Sequence, residues 1–273
     1  MSLLEETKSL LRRHRIEPKK ALGQNFMVES QVFQKMAHYA SLDCDDTVLE
    51  IGAGLGFLTR FMSEKCKEVL AVEVDARLVS ILREQLGCAS NVKIIEGNVL
   101  SITLPSFNKI VSIPPYQISS RLLAWLFQRD FDCAVLVFQK EFAHRLMAAV
   151  GSEDYGWLTV FTYYHAQVEL LDEIPKSMFY PHPKIDSVII CLKPKKQRPS
   201  LPGNEAAFQR LLQVLFTRRN RTVRNAALTY LKQGRNATKQ DVVKIADSLP
   251  LGNKRVRGLA PEDFGALANA IIK

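Results

Sequence analysis

The run Leu49-Glu-Ile-Gly-Ala-Gly-Leu-Gly56 places Gly52, Gly54 and Gly56 in a turn after a short apolar, β-branched stretch. Glycines there let the backbone approach a ligand closely, and a helix that follows offers free amide hydrogens at its start. Glu50 lies just before the first glycine, where an acid can take the amino group of a methionine moiety. Glu73, in AVEVD at the end of the next strand-like run, is spaced to bind both hydroxyls of a ribose. Asn98, in IIEGNVL after the third such run, can read an adenine amino group. A strand, a glycine turn, a helix, a strand and an acid describe a site for any adenosine-containing cofactor, NAD included. Here the glycines run G-x-G-x-G instead of G-x-G-x-x-G. With Glu50 and Asn98 added, the pattern points to S-adenosyl-L-methionine.

A second chemical feature is Val111-Ser-Ile-Pro-Pro-Tyr-Gln-Ile-Ser119. Enzymes that methylate exocyclic amino groups of bases place Asn, Asp or Ser, then one residue, then Pro-Tyr or Pro-Phe, at such a strand end. The N6 lone pair of adenine is delocalised into the ring, so acceptors for the amino hydrogens favour the tetrahedral nitrogen of the transition state. Holding that nitrogen in line with the methyl donor supplies much of the remaining rate. Neither a metal nor a strong base is needed. Pro114 and Pro115 stiffen the turn, Tyr116 can stack on the base, and Phe179, in SMFYPHPKIDS, can close its other face. Ile113 occupies the acceptor position and offers no hydrogen-bonding group. Its expected effect is to spare cofactor and substrate binding while depressing methyl transfer, with the Pro114 carbonyl left as a second acceptor.

These residues need a scaffold of alternating strands and helices. TVLEI, EVLAVEV, VKIIEG, KIVSI and CAVLVF read as buried parallel strands. FLTRFMSEK, ARLVSILREQL and SSRLLAWLFQR carry apolar residues at helical spacing. The pattern predicts an α/β fold, an open sheet with helices on both faces. AQVELLDEI and DSVIICLK extend the sheet as an antiparallel edge, and KPKKQRPSLPG is the linker. Four helical patterns after it make a small C-terminal all-α domain. The expected boundaries are 1–195, with residues 1–20 a basic N-terminal extension, and 196–273.

The charge is divided unevenly. From Lys193 onward the chain holds 17 basic and 5 acidic residues, against 20 and 23 before it, so the net charge of +9 comes from the last third. Such a lobe reads as a polyanion-binding surface, with nucleic acid the usual partner. Arg218, Arg219, Arg221 and Arg224 are its densest cluster. No apolar run approaches the ~20 residues of a membrane span, and the first residues lack a signal-peptide apolar core. The cysteines at 44, 66, 88, 133 and 191 are scattered, with no C-x-x-C. They argue against a zinc site or a disulfide framework and fit a reducing cytoplasm.

With these residues assembled, nearly the whole chain resembles the ribosomal RNA adenine dimethyltransferases, and the archaeal and eukaryotic branch in PYQISS and DYGWLTV. Lys20-Ala-Leu-Gly-Gln-Asn-Phe26 is similar to their N-terminal motif, LEIGAGLGFLT and VEVD to the glycine turn and ribose acid, and FYPHPKIDSVI to the aromatic-proline stretch. FTRRNRTVRN and RVRGLAPEDF resemble the C-terminal basic and Pro-Glu motifs. The resemblance implies a Rossmann-like class I methyltransferase sheet and cofactor contacts from Asn25 and Met27. It also implies RNA contacts from the basic motifs, including Lys254, Arg255 and Arg257. The implied reaction is dimethylation of two adjacent adenosines near the 3′ end of small-subunit rRNA, by a cytoplasmic monomer acting on the assembling subunit. Two residues depart from the pattern: Asn98 stands for Asp, and Ile113 for the Asn of Asn-x-Pro-Tyr. The second keeps open a rival, an RNA-binding assembly factor with little catalysis, and the similarity of their sites keeps open another, a methyltransferase of large-subunit rRNA or DNA.

Overall fold

The protein is described by a computed structural model covering residues 1–196, 204–234 and 238–272. Gln197 to Gly203, most of the expected linker, lie outside the described residues. Two compact units emerge: residues 1–143 with 168–194, and residues 144–167 with 195 onward. The first opens with α1 (Leu3–Arg13), β1 (Phe26–Met27), α2 (Ser30–Tyr39), β2 (Thr47–Ile51), α3 (Phe57–Ser63) and β3 (Glu68–Glu73). It continues through α4 (Ala76–Leu86), β4 (Val92–Glu96), β5 (Lys109–Ser112), α5 (Ser119–Leu126) and β6 (Cys133–Gln139). The chain then passes along α6 (Lys140–Leu146) to α7 (Trp157–His165) in the second unit, and returns by β7 (Ala166–Ile174) to β8 (Phe179–Tyr180) and β9 (Ser187–Pro194). The second unit resumes with α8 (Glu205–Thr217), α9 (Val223–Gly234), α10 (Lys239–Asp247) and α11 (Asp263–Ile271).

Seven strands form one sheet in the order β4-β3-β2-β5-β6-β9-β7, while β1 and β8 make a separate two-stranded ribbon. β2 to β6 run parallel, and β9 lies antiparallel on β6. The inner parallel strands β2, β3, β5 and β6 bury almost every residue, which explains their unbroken apolar sequences, whereas β4 at the sheet edge buries none of its five, so the expectation that VKIIEG is a buried strand is corrected. α4 shows the complementary logic: Leu78, Val79, Ile81, Leu82 and Leu86 are buried along one stripe, and Asp75 caps its start. The order reverses between β2 and β5, so the crevice beyond their carboxyl ends is the topological switch point of the sheet.

Two expectations about organisation are corrected. A single cut at 195/196 misses the excursion of residues 144–167, which group with the C-terminal helices. The cause is α7: seven of its nine residues are buried, so it needs apolar cover on all sides and packs against α8, with Tyr164 edge-on to Phe208 at 5.0 Å. Residues 1–20 are also more than a basic extension. Ser2 and Glu5 form a capping box that starts α1, and Leu11 and Ile16 enter the hydrophobic core. Among the described residues no helix is long and apolar enough to cross a membrane.

Candidate functional site

Beyond the carboxyl ends of β2, β3, β4 and β5 lies a cavity of about 280 Å³, lined by Gly52, Gly54, Glu73, Asn98, Ile113 and Pro115 among others. A smaller cavity of about 50 Å³ continues past Glu50 and Met27. Asn25, Gly52, Gly54 and Ile113 line both. Most of the residues read from sequence as one site therefore do converge.

Glu73 is buried, and its carboxylate accepts from the backbone N–H of Gly54 at 2.9 Å, Val74 at 2.8 Å and Asp75 at 2.9 Å. Burial still raises its pKa above the usual carboxylate range, outweighing those three donors. Glu50 is more extreme. It has one side-chain donor, the Thr59 hydroxyl at 2.5 Å, and burial pushes its pKa up to about 8, with Glu73 adding to the rise. A buried acid with no cation among the described residues is costly to ionise, and a bound ammonium group would lower that cost. Gly52, at φ +78°, lets Pro115 approach so closely that a Cβ would lie 3.0 Å from its Cδ.

Gly56 is different. It lines neither cavity, and a Cβ there would meet Leu82 Cδ2 at 2.8 Å. It starts α3 in a left-handed conformation and lets α4 pack closely, so its expected ligand contact is corrected to a packing role. Asn98 lines the larger cavity and is exposed, but its amide oxygen already accepts from Leu100 N–H at 3.1 Å, leaving one lone pair for a ligand.

The turn after β5 is held by groups other than residue 113. Ser112 is fully buried; its hydroxyl donates to Ile51 O at 2.7 Å and accepts from Ile51 N at 3.1 Å, bridging β5 to β2. Fully buried and lining neither cavity, Ser112 cannot stand in for the missing acceptor. Tyr116 shares a 2.7 Å hydrogen bond with Ser187 on β9, and burial raises its pKa to about 12, which keeps the phenol neutral. It lines neither cavity in this conformation. Ile113 is half-buried and packs on the core as well as facing both cavities. Pro114 is buried and its side chain lines neither cavity, and its carbonyl has no hydrogen-bond partner among the described residues.

Phe179 is corrected. It is fully buried in the core and lines neither cavity. In the ribbon with β1 it pairs with Met27, and Tyr180 pairs with Phe26. Alternation along a strand sends Phe179 inward and Tyr180 the other way.

Sequence reading also missed the residues that hold the segment over the larger cavity. Gln24 donates to Asp75 at 2.9 Å and accepts from Lys19 N–H at 2.7 Å. From the other side Gln117 donates to Lys20 O at 2.9 Å. Two glutamines thus latch the turn that carries Gly23 and Asn25; nothing in their spacing signals it, because the partners lie far apart in sequence.

In the second unit a short antiparallel pairing joins the two basic segments: Thr222 bridges Arg255, Val223 N–H donates to Lys254 O at 2.8 Å, and Arg257 N–H donates to Arg219 O at 3.0 Å. Arg218, Arg221, Lys254 and Arg257 are exposed there, and Arg255 lends one N–H to Asn220 O at 3.2 Å. Two of the expected RNA contacts are otherwise engaged. Arg219 donates to the carbonyls of Glu153, Tyr155 and Ser152, and Arg224 pairs with Asp247.

A mostly parallel sheet with a cavity at its switch point and a proline turn on the cavity wall defines a Rossmann-like methyltransferase. Two solved structures share the architecture: a dimethyladenosine transferase from Plasmodium falciparum (TM-score 0.74, 29% identity, 89% of this chain and 95% of that one) and the 23S rRNA methyltransferase ErmE (0.63, 26%, 91% and 100%). The model of the family described as ribosomal RNA adenine dimethylase matches residues 15–264, and the chain belongs to that family. Among its curated relatives, probable ribosomal RNA small subunit methyltransferase A from Thermococcus gammatolerans is 38% identical over 93% of this chain and 90% of its own. The protein of that name from Methanopyrus kandleri is 38% identical over 99% and 98%.

Proposed function

We propose that this enzyme uses S-adenosyl-L-methionine to dimethylate N6 of two adjacent adenosines near the 3′ end of small-subunit ribosomal RNA. The observation that carries the reading is the continuity of one crevice from two buried acids, Glu73 and Glu50, to the proline turn after β5. The cofactor, when bound, supplies an electrophilic methyl group. Glu73 binds the ribose hydroxyls, Asn98 reads the adenine edge through its remaining lone pair, and Glu50 takes the amino group of the methionine portion. Gly52 and Gly54 keep the floor free of side chains, and Asn25 and Met27 flank the smaller cavity. At the reaction end, the Pro114 carbonyl accepts from the target amino group, and Tyr116 stacks on the base after its ring turns toward the crevice.

Ile113 supports a second reading, an RNA-binding factor with slow catalysis. It fills the acceptor position with a branched apolar side chain already committed to the core. Losing one acceptor of this kind costs about 10²–10³ in rate. Single-turnover methylation of small-subunit rRNA by this protein and by Ile113→Asn tests both readings. A gain of that size, with unchanged cofactor affinity, supports a slowed enzyme; no methylation by either protein supports the assembly factor. For the RNA lobe, reversing Arg218 and Arg221 together should flatten the salt dependence of RNA binding by about two counterions. Arg219 is a poor probe, because its guanidinium ties backbone carbonyls together.

A further inference from the structure

We infer that a groove between α1 and β8 binds the single-stranded RNA next to the target nucleotide. The inference rests on the proposed RNA substrate and adds a binding site to it. The groove, about 580 Å³, is lined by Lys8, Arg12, Arg15 and Tyr180, with Glu17 as its one acid. Lys8, Arg12 and Arg15 stand at i, i+4 and i+7, so they lie along one face of the helix and its cap.

The two faces of α1 are charged differently. On one, Glu6 pairs with Arg60 and Arg13 with Glu84. On the groove face no ion pair joins Lys8, Arg12 or Arg15 to a carboxylate among the described residues; Glu5 acts on Lys8 only at longer range, and Arg12 Nε donates to Lys8 O at 3.3 Å. Unpaired cations in a row along a cleft suit the phosphates of a nucleic-acid strand.

Arg15 adds an independent observation. It has φ +52°, and Ile16 N–H reaches back to Leu11 O at 2.8 Å, so Arg15 fills the left-handed position that ends a helix. Glycine is the unstrained choice there, and an arginine kept in its place costs stability. Its exposed guanidinium borders the groove, which gives the strained residue a reason to be charged.

Tyr180 distinguishes RNA from an acidic peptide. Its ring is half-buried, and Lys8 Nζ lies 5.4 Å from its centroid. A base stack is worth more than an exposed cation–π contact, so a base displaces the lysine while its ammonium stays within reach of the phosphate. Tyr180 is also the register partner of Phe26, which lines both cavities of the site. The β1–β8 ribbon thus carries residues of both the crevice and the groove, which is the ground for assigning the groove to the nucleotides next to the target.

The test is binding of an oligoadenylate of about ten nucleotides by fluorescence anisotropy across a salt series, without cofactor. Lys8→Gln, Arg12→Gln and Arg15→Gln combined should reduce the salt slope by about 2. Tyr180→Ala should weaken binding about five- to a hundredfold, and Tyr180→Phe should restore it. Arg15→Gly should melt at a higher temperature than the parent yet bind RNA more weakly, an outcome that misfolding cannot imitate. The inference is overturned if the triple variant keeps the parental slope, if Tyr180→Ala binds as well as the parent, or if polyglutamate competes as strongly as the RNA. Binding is read apart from turnover. Normal methylation with unaltered binding by the variants sinks the groove alone, whereas the expected binding losses without methylation leave the groove standing and remove the enzymatic reading.

Discussion

The two ends of the crevice have kept different things. At the cofactor end the polar groups are present and buried: Glu50, Glu73 and the glycines that open space between them. At the reaction end the backbone shape is present and the acceptor side chain is absent. The turn keeps its shape because Ser112 bridges to Ile51 and Tyr116 anchors to Ser187, neither of which involves residue 113. A side chain that contributes chemistry and nothing to the scaffold can be replaced by an apolar one without disturbing the fold. The acids are tied in more deeply: Glu73 alone satisfies three backbone donors of the adjoining turns.

The strongest way to break this contrast is Glu73→Gln. Two ribose hydroxyls bound to a carboxylate contribute about 1.5–3 kcal/mol each, so titration calorimetry should show cofactor affinity about 10²–10⁴ weaker. A loss below tenfold removes Glu73 from the ribose site. The gain from Ile113→Asn comes next in size and must appear in the rate alone. Should that variant also bind cofactor much more tightly, the two ends are coupled and the contrast fails.

Glu50 offers a sharper probe, because its protonation is set by the site itself. With its carboxyl pushed up to about 8 by burial, the ligand-free protein holds it neutral near pH 7. Binding an ammonium group requires the carboxylate. Affinity should therefore rise about tenfold per pH unit up to pH about 8 and fall again above it, as the ligand's own α-amino group, with an ordinary pKa of about 8, loses its proton. Stability moves the opposite way. The unfolded chain ionises this group from its ordinary value of 4.5, whereas the folded chain resists. Its contribution is thus most favourable below that value and is lost as pH rises to about 8. Glu50→Gln should flatten both the affinity profile and the fall in melting temperature of the ligand-free protein.

The strands, their order of appearance and the positions of Glu73, Asn98 and Ile113 on the larger cavity, with Glu50 on the smaller one that adjoins it, were legible in the sequence, because parallel strands and a switch point constrain them jointly. What stayed hidden depended on register or on distant partners. FY in SMFYPHP does not say which aromatic faces the core; only the pairing of β8 with β1 sends Phe179 inward. G-x-G-x-G does not separate a glycine under a ligand from one under a neighbouring helix, and Leu82 makes Gly56 the latter. Arginine spacing in FTRRNRTVRN cannot reveal that Arg219 turns onto the backbone carbonyls of residues 152–155 while Arg218 and Arg221 stay exposed. The excursion of residues 144–167 was missed for a similar reason, since an all-round apolar helix gives no hint of which unit covers it.

The smallest effect belongs to Asn98, and it sharpens the contrast from the cofactor side. Its amide oxygen is half spent on Leu100 N–H, so a ligand amino group meets one remaining lone pair. Asn98→Asp supplies a second oxygen and a negative charge, turning a neutral hydrogen bond into a charge-assisted one, a difference of about 0.5–1.5 kcal/mol. Cofactor affinity should improve about three- to tenfold, and the rate of methyl transfer at saturating cofactor should stay within twofold. If the rate rises with affinity, the adenine edge also sets the position of the methyl group. If neither changes, the exposed side chain at 98 lies outside the adenine contact, and Glu73 and the glycine turn carry recognition without it.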